Sequence, residues 1–330
     1  MKIARICSKL IFFFYYLTKY KNAALAFNLS NNNVPPKRCT QVRREGNHLI
    51  FTRSNSRIEI ATINSCFKTS LHYIIEIFNN SHADDIQKTE KGIILTAEGV
   101  SFHINSESNA GNFYEIICRK MYDYHTSNRR NVVLDIGMNA GLASLFFASK
   151  QNVAKVYSFE PFTSTIEEAK QNFRINPLIK DKIQIANYGV SNKNTLLTVP
   201  LFEGGSMEAS TNQEFIELHQ FQTKKEQSIE IELKDIKDIL KEVIEKEQIT
   251  DNDMLVLKVD CEGEEYNIVD RLKECGYLNK VSAFLMEWHH KGPDSLVKNL
   301  KEHNFKVLLS PITTVDGTII SEAGMLYAFK

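Results

Sequence analysis

The 330-residue sequence predicts an α/β protein: a doubly wound sheet with helices on both faces, preceded by a small α+β extension. Three observations carry that reading. From about Arg130 onward the chain repeats strand, turn and helix, the order of a parallel sheet. The first of those strands runs into "DIGMNAG", Asp135 to Gly141, a glycine-bearing turn that opens an apolar helix. Ahead of it lie short strand-like runs, "HLIFTR" and "RIEIATI", then the helical pattern "TSLHYIIEIFNNS" and the hairpin pattern "GIILTAEGVSFHI".

Taken in order, the chain begins with Lys2, Arg5 and Lys9 ahead of the apolar run "LIFFFYYL". The run is shorter than the ~20 apolar residues of a membrane helix, and Lys19 and Lys21 sit where a signal-peptide cleavage region would be neutral. A cationic, aromatic amphipathic helix is expected, docked on the domain or making a weak membrane-surface contact through residues 1–21. "NLSNNNVPPKR", Asn28 to Arg38, reads as a linker. The boundaries that follow are 1–38 for segment and linker, 39–125 for the α+β extension and 126–330 for the main domain. Strands of the main domain are expected at 132–136, 155–159, 183–188, 254–259, 282–288 and 305–309, with "GMLYAFK" as a last run. An insertion over 192–253 holds "TLLTVPLFEGGSM" and the charged helical stretch "LKDIKDILKEVIEKEQ", which reads as a solvated helix.

Composition excludes several function classes. Forty basic and forty acidic residues cancel to a formal charge of zero, so no broad cationic surface for nucleic acid is implied. The six cysteines (Cys7, Cys39, Cys66, Cys118, Cys261 and Cys275) form no CxxC pair, which argues against structural zinc and for reduced thiols in a cytoplasmic protein.

Ligands of open parallel sheets sit beyond the carboxyl ends of the strands, where strand order reverses. The first strand ends in Asp135, Gly137, Asn139 and Gly141, whose glycines permit close ligand approach. The second ends in "SFEP", which puts Glu160 about 20 residues beyond the glycine turn, placed to accept hydrogen bonds from an adenosine ribose. The pair indicates a nucleoside cofactor. The turn lacks the Gly-x-Gly-x-x-Gly spacing of a pyrophosphate site, and an acid at its head suits the ammonium of a methionine moiety better than a phosphate. S-adenosylmethionine is therefore favoured over a nicotinamide dinucleotide. Tyr188, ending the third strand, neighbours the adenine or simply packs. The fourth strand carries Lys258, Asp260 and Glu262 in "LVLKVDCEGEEYNIV", and the fifth ends with Glu287, Trp288, His289 and His290.

"VVLDIGMNAGLASLFFA", "VYSFEP", "LKVDCEGEEYNIV" and "LMEWH", in that order, resemble the FkbM family of S-adenosylmethionine-dependent methyltransferases from about Asn131 to Trp288, and "EIICRKMYDY" resembles its lead-in. The resemblance implies a seven-stranded, Rossmann-like class I methyltransferase sheet. It also implies cofactor contacts from Asp135, Gly137, Asn139, Gly141 and Glu160, and a family Lys-x-Asp-x-Glu-Gly pattern at Lys258 to Gly263. Members methylate hydroxyls, often of sugars or polyketides.

A hydroxyl is a poor nucleophile until its proton is taken, so a general base is expected. His289 is the candidate, as a neutral imidazole, with His290 in reserve. Asp260 and Glu262 orient the acceptor or cap the following helix; Lys258 is an ion-pair partner for Asp260; no metal is expected. "EGGSM", Glu203 to Met207, is a turn or a segment lining the cofactor. The function expected is O-methylation of a glycan or other small hydroxylated molecule, the alternative being a non-catalytic nucleoside-binding scaffold.

Overall fold

The computed structural model describes residues 2–32, 34–66, 70–79, 83, 85–124, 128–202, 225–313 and 319–330. The chain divides into two compact units, one reaching to Met121 and the other beginning at Tyr122.

In the first unit, α1 (Lys2–Tyr20) and α2 (Ala23–Asn31) lead to a three-stranded antiparallel sheet of β1 (Val42–Glu45), β2 (His48–Phe51) and β3 (Ser56–Glu59). Then come α3 (Ile60–Cys66), α4 (Leu71–Asn79), a second antiparallel sheet of β4 (Asp85–Lys88), β5 (Ile93–Ala97) and β6 (Val100–Ile104), and α5 (Glu107–Phe113). Helix α1 docks by its aromatic face. Tyr16 and Tyr20 are buried and donate their hydroxyls to the carbonyls of Val34 and Val42 at 2.7 and 3.1 Å. Leu10, Ile11 and Phe14 remain exposed on the other side. No helix among the described residues is long and apolar enough to cross a membrane. The stretch expected as a linker is partly helical: α2 runs to Asn31, capped where Asn22 accepts from the Leu25 amide, and Asn28, Leu29 and Ser30 are buried. Buried leucines and a satisfied cap outweigh the Asn-rich composition that suggested an open chain.

The second unit is built on a seven-stranded mixed sheet. Its strands are β7 (Asn131–Ile136), β8 (Val153–Phe159), β9 (Ile183–Ala186), β13 (Met254–Val259), β14 (Ala283–His289), β15 (Lys306–Thr313) and β16 (Ile319–Phe329), in spatial order β15-β16-β14-β13-β7-β8-β9. The expectation of a parallel sheet holds for its centre and fails at one edge, where β16 inserts antiparallel between β14 and β15. Strands β7 and β13, "NVVLDI" and "MLVLKV", are buried at every residue, as strands covered on both faces must be. From β7 the chain winds outward through β8 to β9, then returns on the other side of β7 to form β13. The strand order reverses between β7 and β13, and a crevice lies at their carboxyl ends.

The region expected as an insertion is more closely integrated. The third strand ends at Ala186, after which β10 (Gly189–Ser191), β11 (Thr195–Phe202) and β12 (Lys225–Asp235) make a small sheet of their own. "EGGSM" lies outside the described residues. The charged stretch then forms the helix that leads into β13, with the expected solvated face on one side and a buried face on the other. Helices of the second unit are α6 (Leu142–Ser149), α7 (Thr163–Arg174), α8 (Ile236–Glu247), α9 (Glu265–Glu274) and α10 (Asp294–Glu302). Along α8, Ile236, Ile239, Leu240 and Val243 are buried in the same cluster as Leu134, Leu257 and Phe284, while Lys241 and Glu242 face water. Asp235 caps it by accepting from the Lys237 amide at 2.9 Å and pairs with Arg271 of α9 at 2.7 Å.

Leu240→Ala is therefore expected to lower unfolding free energy by about 2–5 kcal/mol. Lys241→Ala should stay within about 0.5 kcal/mol. Urea denaturation of the two variants checks this, and equal small effects would mean that α8 is an appendage.

Candidate functional site

The turn after β7 takes three left-handed residues in five, Gly137 (φ +79°), Asn139 (φ +52°) and Gly141 (φ +87°). The two glycines are required for a reason other than the expected one. A Cβ on Gly137 would lie 1.8 Å from the Asp260 carbonyl oxygen, and one on Gly141 would lie 2.6 Å from the Phe173 ring. What the missing side chains admit is the β13 backbone and helix α7, not a ligand. Gly137 and Met138 donate their amides to the Phe159 carbonyl at 3.2 and 3.0 Å, and Asn139 turns its own Oδ1 onto the Ala140 amide at 2.7 Å.

Glu160, at the end of β8, is only 6% exposed. Its Oε2 accepts the Asn139 amide at 3.0 Å and its Oε1 the Phe162 amide at 3.1 Å. Burial pushes its carboxyl up to about 7, against the pull of those two N–H groups and of Lys258. Each oxygen keeps a lone pair, so the side chain can still take two hydroxyl donors. Tyr188 packs edge-tilted on Phe159, ring centroids 5.7 Å apart, with the Lys234 ammonium 4.0 Å from its ring centre. Packing thus already occupies this ring.

Asp135 stands near the end of β7 as expected, with its carboxylate already engaged within the protein. It has no exposed surface: Oδ2 accepts the Ser144 hydroxyl at 2.5 Å and Oδ1 lies 3.2 Å from the Lys258 ammonium. Lys258, equally buried, also donates to the Gly137 carbonyl at 2.5 Å and lies 3.6 Å from Asp260. Burial alone would lower its pKa, but the two carboxylates outweigh that and hold it at about 12.

Beyond the ends of β13 and β14 a second group collects. Asp260 Oδ2 accepts the Tyr122 hydroxyl at 3.0 Å. His289 accepts no such freedom: Glu265 Oε1 takes its backbone amide and its Nδ1, both at 2.9 Å, while Nε2 faces Glu287 at 3.5 Å and Glu262 at 3.7 Å. Burial would lower the imidazole's pKa, yet Glu265, Glu287 and Glu262 raise it to about 12. The expected neutral imidazole is therefore an imidazolium here, and it cannot serve as the proton acceptor in that state. Burial, with carboxylate neighbours, raises Glu262 to about 7 and pushes Glu287 up as well. His290, the reserve, takes left-handed backbone (φ +58°), with its amide on the Glu322 carbonyl at 2.7 Å and its ring centroid 6.5 Å from that of His289. Asp260 and Glu262 do not cap α9, whose N-cap position is Glu264. Donor atoms of Asp260, Glu287 and His289 come within 4.8 Å of one another.

Of the residues that sequence reasoning singled out, the structure brings Lys258, Asp260, Glu262 and His289 together. That reasoning gave no role to three of their partners. Glu287 was named at its strand end, two residues from His289 on one strand face. Glu265 and Tyr122 lie inside quoted motifs, but nothing in the local pattern says what they contact.

The order of the strands, the glycine turn and Glu160 fit one kind of catalyst, and the comparisons decide which. Residues 135–307, more than half of the chain, match the model of the methyltransferase FkbM domain. The chain belongs to the FkbM methyltransferase family. Among solved structures it is similar to methyltransferase FkbM from Methylobacillus flagellatus KT, at 14% identity and a TM-score of 0.42, over 79% of this chain and 54% of that one. This FkbM family chain therefore spans about half the length of that relative. It is also similar to precorrin-6y C5,15-methyltransferase from Geobacter metallireducens GS-15, at 9% identity and a TM-score of 0.34, over 64% of this chain and 86% of that one. A third likeness is to a candidate tRNA methyltransferase of Streptococcus pneumoniae solved with S-adenosyl-L-methionine, at 14% identity and a TM-score of 0.36, over 61% and 66%. No curated protein matches.

Because Lys258 neutralises two carboxylates in this FkbM domain, Lys258→Met is expected to destabilise it by about 3–5 kcal/mol. The folded pKa lies above the ordinary 10.5, so the lysine's contribution is complete below that pH and is lost as pH rises through about 12. Chemical denaturation of wild type and variant between pH 7 and 12 measures both the size and the window.

Proposed function

We propose that this FkbM family protein is an S-adenosylmethionine-dependent O-methyltransferase acting on a hydroxyl of a carbohydrate or other small hydroxylated molecule. The observation that carries the acceptor half is the ring of carboxylates beside the glycine turn. Asp260, Glu262 and Glu287 keep 29, 31 and 20% of their side-chain surface accessible, against 9% for His289. Carboxylates are pure hydrogen-bond acceptors, and a ring of them suits a ligand rich in hydroxyl donors.

The residues present fit the cofactor on one point of geometry, the two lone pairs that buried Glu160 still offers to ribose hydroxyls. When bound, S-adenosylmethionine supplies an electrophilic methyl group on a sulfonium. The chain's own contribution is placement. Glu160 fixes the ribose, the turn from Gly137 to Gly141 backs it, and the carboxylates orient the acceptor hydroxyl for in-line attack. With S-adenosylmethionine held there, the methyl group would pass to the acceptor oxygen, the S–C electrons remaining on sulfur. The hydroxyl proton passes to a carboxylate of the ring, the imidazolium of His289 having no capacity for it.

Two measurements test this reading. Incubation with S-adenosylmethionine and a panel of methyl glycosides should release S-adenosylhomocysteine and yield an O-methyl signal by NMR; a methylated nitrogen would overturn the hydroxyl assignment, and cofactor binding without turnover on any acceptor would favour a scaffold. Calorimetry with S-adenosylhomocysteine should show affinity rising with pH by up to about tenfold per unit below about 7, where Glu160 is half ionised, and levelling off above it. Glu160→Gln should flatten that profile and weaken binding about tenfold or more, in line with about 1.5–3 kcal/mol for a hydrogen bond to a charged group.

A further inference from the structure

We infer that Asp260, Glu287 and His289 form a binding site for one divalent cation, of the class served by mixed carboxylate and imidazole ligands, such as Mn²⁺ or Mg²⁺. The three donor atoms lie within 4.8 Å of one another. Ligands of a cation bound at about 2.1 Å stand about 3 to 4.2 Å apart, so the group needs only a small contraction. The set is not a patch of surface acids. It includes an imidazole with 9% of its side chain exposed, whose Nε2 lies 3.5 and 3.7 Å from the nearest carboxylate oxygens, beyond the usual N–H···O hydrogen-bond range. The buried ring therefore points Nε2 into the cluster, toward Glu287 and Glu262, and a cation bound there takes the place of the Nε2 proton, which is released on binding.

The surroundings orient each ligand from behind, as metal sites require. Glu265 holds His289 by the backbone amide and by Nδ1, and is itself fixed by the Gly263 amide at 2.8 Å. Tyr122 holds Asp260 by one oxygen, and β14 places Glu287 and His289 on one face. Two carboxylates and one imidazole leave open positions on an octahedral cation, where an acceptor hydroxyl can bind. A cation there lowers the pKa of that hydroxyl. Its released proton passes to Glu262, which is adjacent and not among the ligands, and the oxygen lone pair then attacks the methyl carbon with the S–C electrons left on sulfur. This role rests on the methyl-transfer reading above; the site itself does not.

The probe is Mn²⁺, followed by electron paramagnetic resonance on the full chain, with S-adenosylhomocysteine binding measured separately by calorimetry. Wild-type protein should retain one Mn²⁺ per chain, displaced by excess Mg²⁺. Glu287→Gln and His289→Gln should each weaken it at least tenfold while leaving S-adenosylhomocysteine affinity unchanged. Retention by wild type alone does not depend on how the variants fold. Failure of wild type to hold Mn²⁺ while it binds S-adenosylhomocysteine overturns the cation site and leaves the methyltransferase reading intact. Undiminished Mn²⁺ binding in both variants likewise overturns it. Mn²⁺ held at the site in a chain that does not bind S-adenosylhomocysteine supports the site and overturns the cofactor reading instead.

Discussion

A buried ammonium organises this crevice. Lys258 stands on the central strand β13 with 3% of its side chain exposed, where an unpaired charge would be too costly to keep. It is kept because Asp135 on β7 and Asp260 at the end of β13 both face it. The same ammonium holds the Gly137 carbonyl, which fixes the start of the glycine turn. The turn presents the Asn139 amide to Glu160 at the end of β8. Three strand ends are thereby joined through one cation. The side of the crevice that suits a cofactor and the side that suits an acceptor share a single electrostatic anchor.

That arrangement also concentrates like charge. Asp260, Glu262, Glu265 and Glu287 gather about His289, and Lys258 lies 3.6 Å from Asp260. Carboxylates so close cannot all ionise without a positive partner. Burial first and the neighbouring acids second raise the carboxyls of Glu262 and Glu287, and the protonated imidazole of His289 offsets part of that rise. A group in that condition favours any additional positive charge that enters it, whether proton, metal ion or cationic ligand.

What could be read in the sequence and what could not divide along one physical line. Local pattern revealed β7 and β13 as continuous apolar runs, the glycine turn as a strand-to-helix corner, and Glu160 by its distance from that turn. Even Glu287 and the buried stripe of α8 were present as periods of two and of 3.6, the latter obscured by the number of charges around it. Pairings over long sequence distances were not legible. Asp135 read as a ligand because nothing nearby in sequence announces that Lys258 will neutralise it. His289 read as a base because its protonation is set by Glu265, Glu287 and Glu262, which only the fold brings together. The antiparallel entry of β16 has the same cause, since an apolar run carries no sign of its direction.

The acidic crevice also bears on how a reaction there would run. A sulfonium cofactor carries one more positive charge than the thioether left after its methyl group departs. In the proposed reaction, Asp260, Glu262 and Glu287 at the crevice would hold the charged form more strongly than the spent form by the difference of one Coulomb interaction. Linkage makes this reciprocal: whatever favours the cation also favours ionisation of the carboxylates that face it. Binding of such a cofactor would therefore draw protons off the acid ring and leave it able to accept one from an acceptor hydroxyl. Loss of the charge on transfer would reverse that bias and let the spent cofactor go. The clustering of acids that strains the unliganded site is thus what would make it directional.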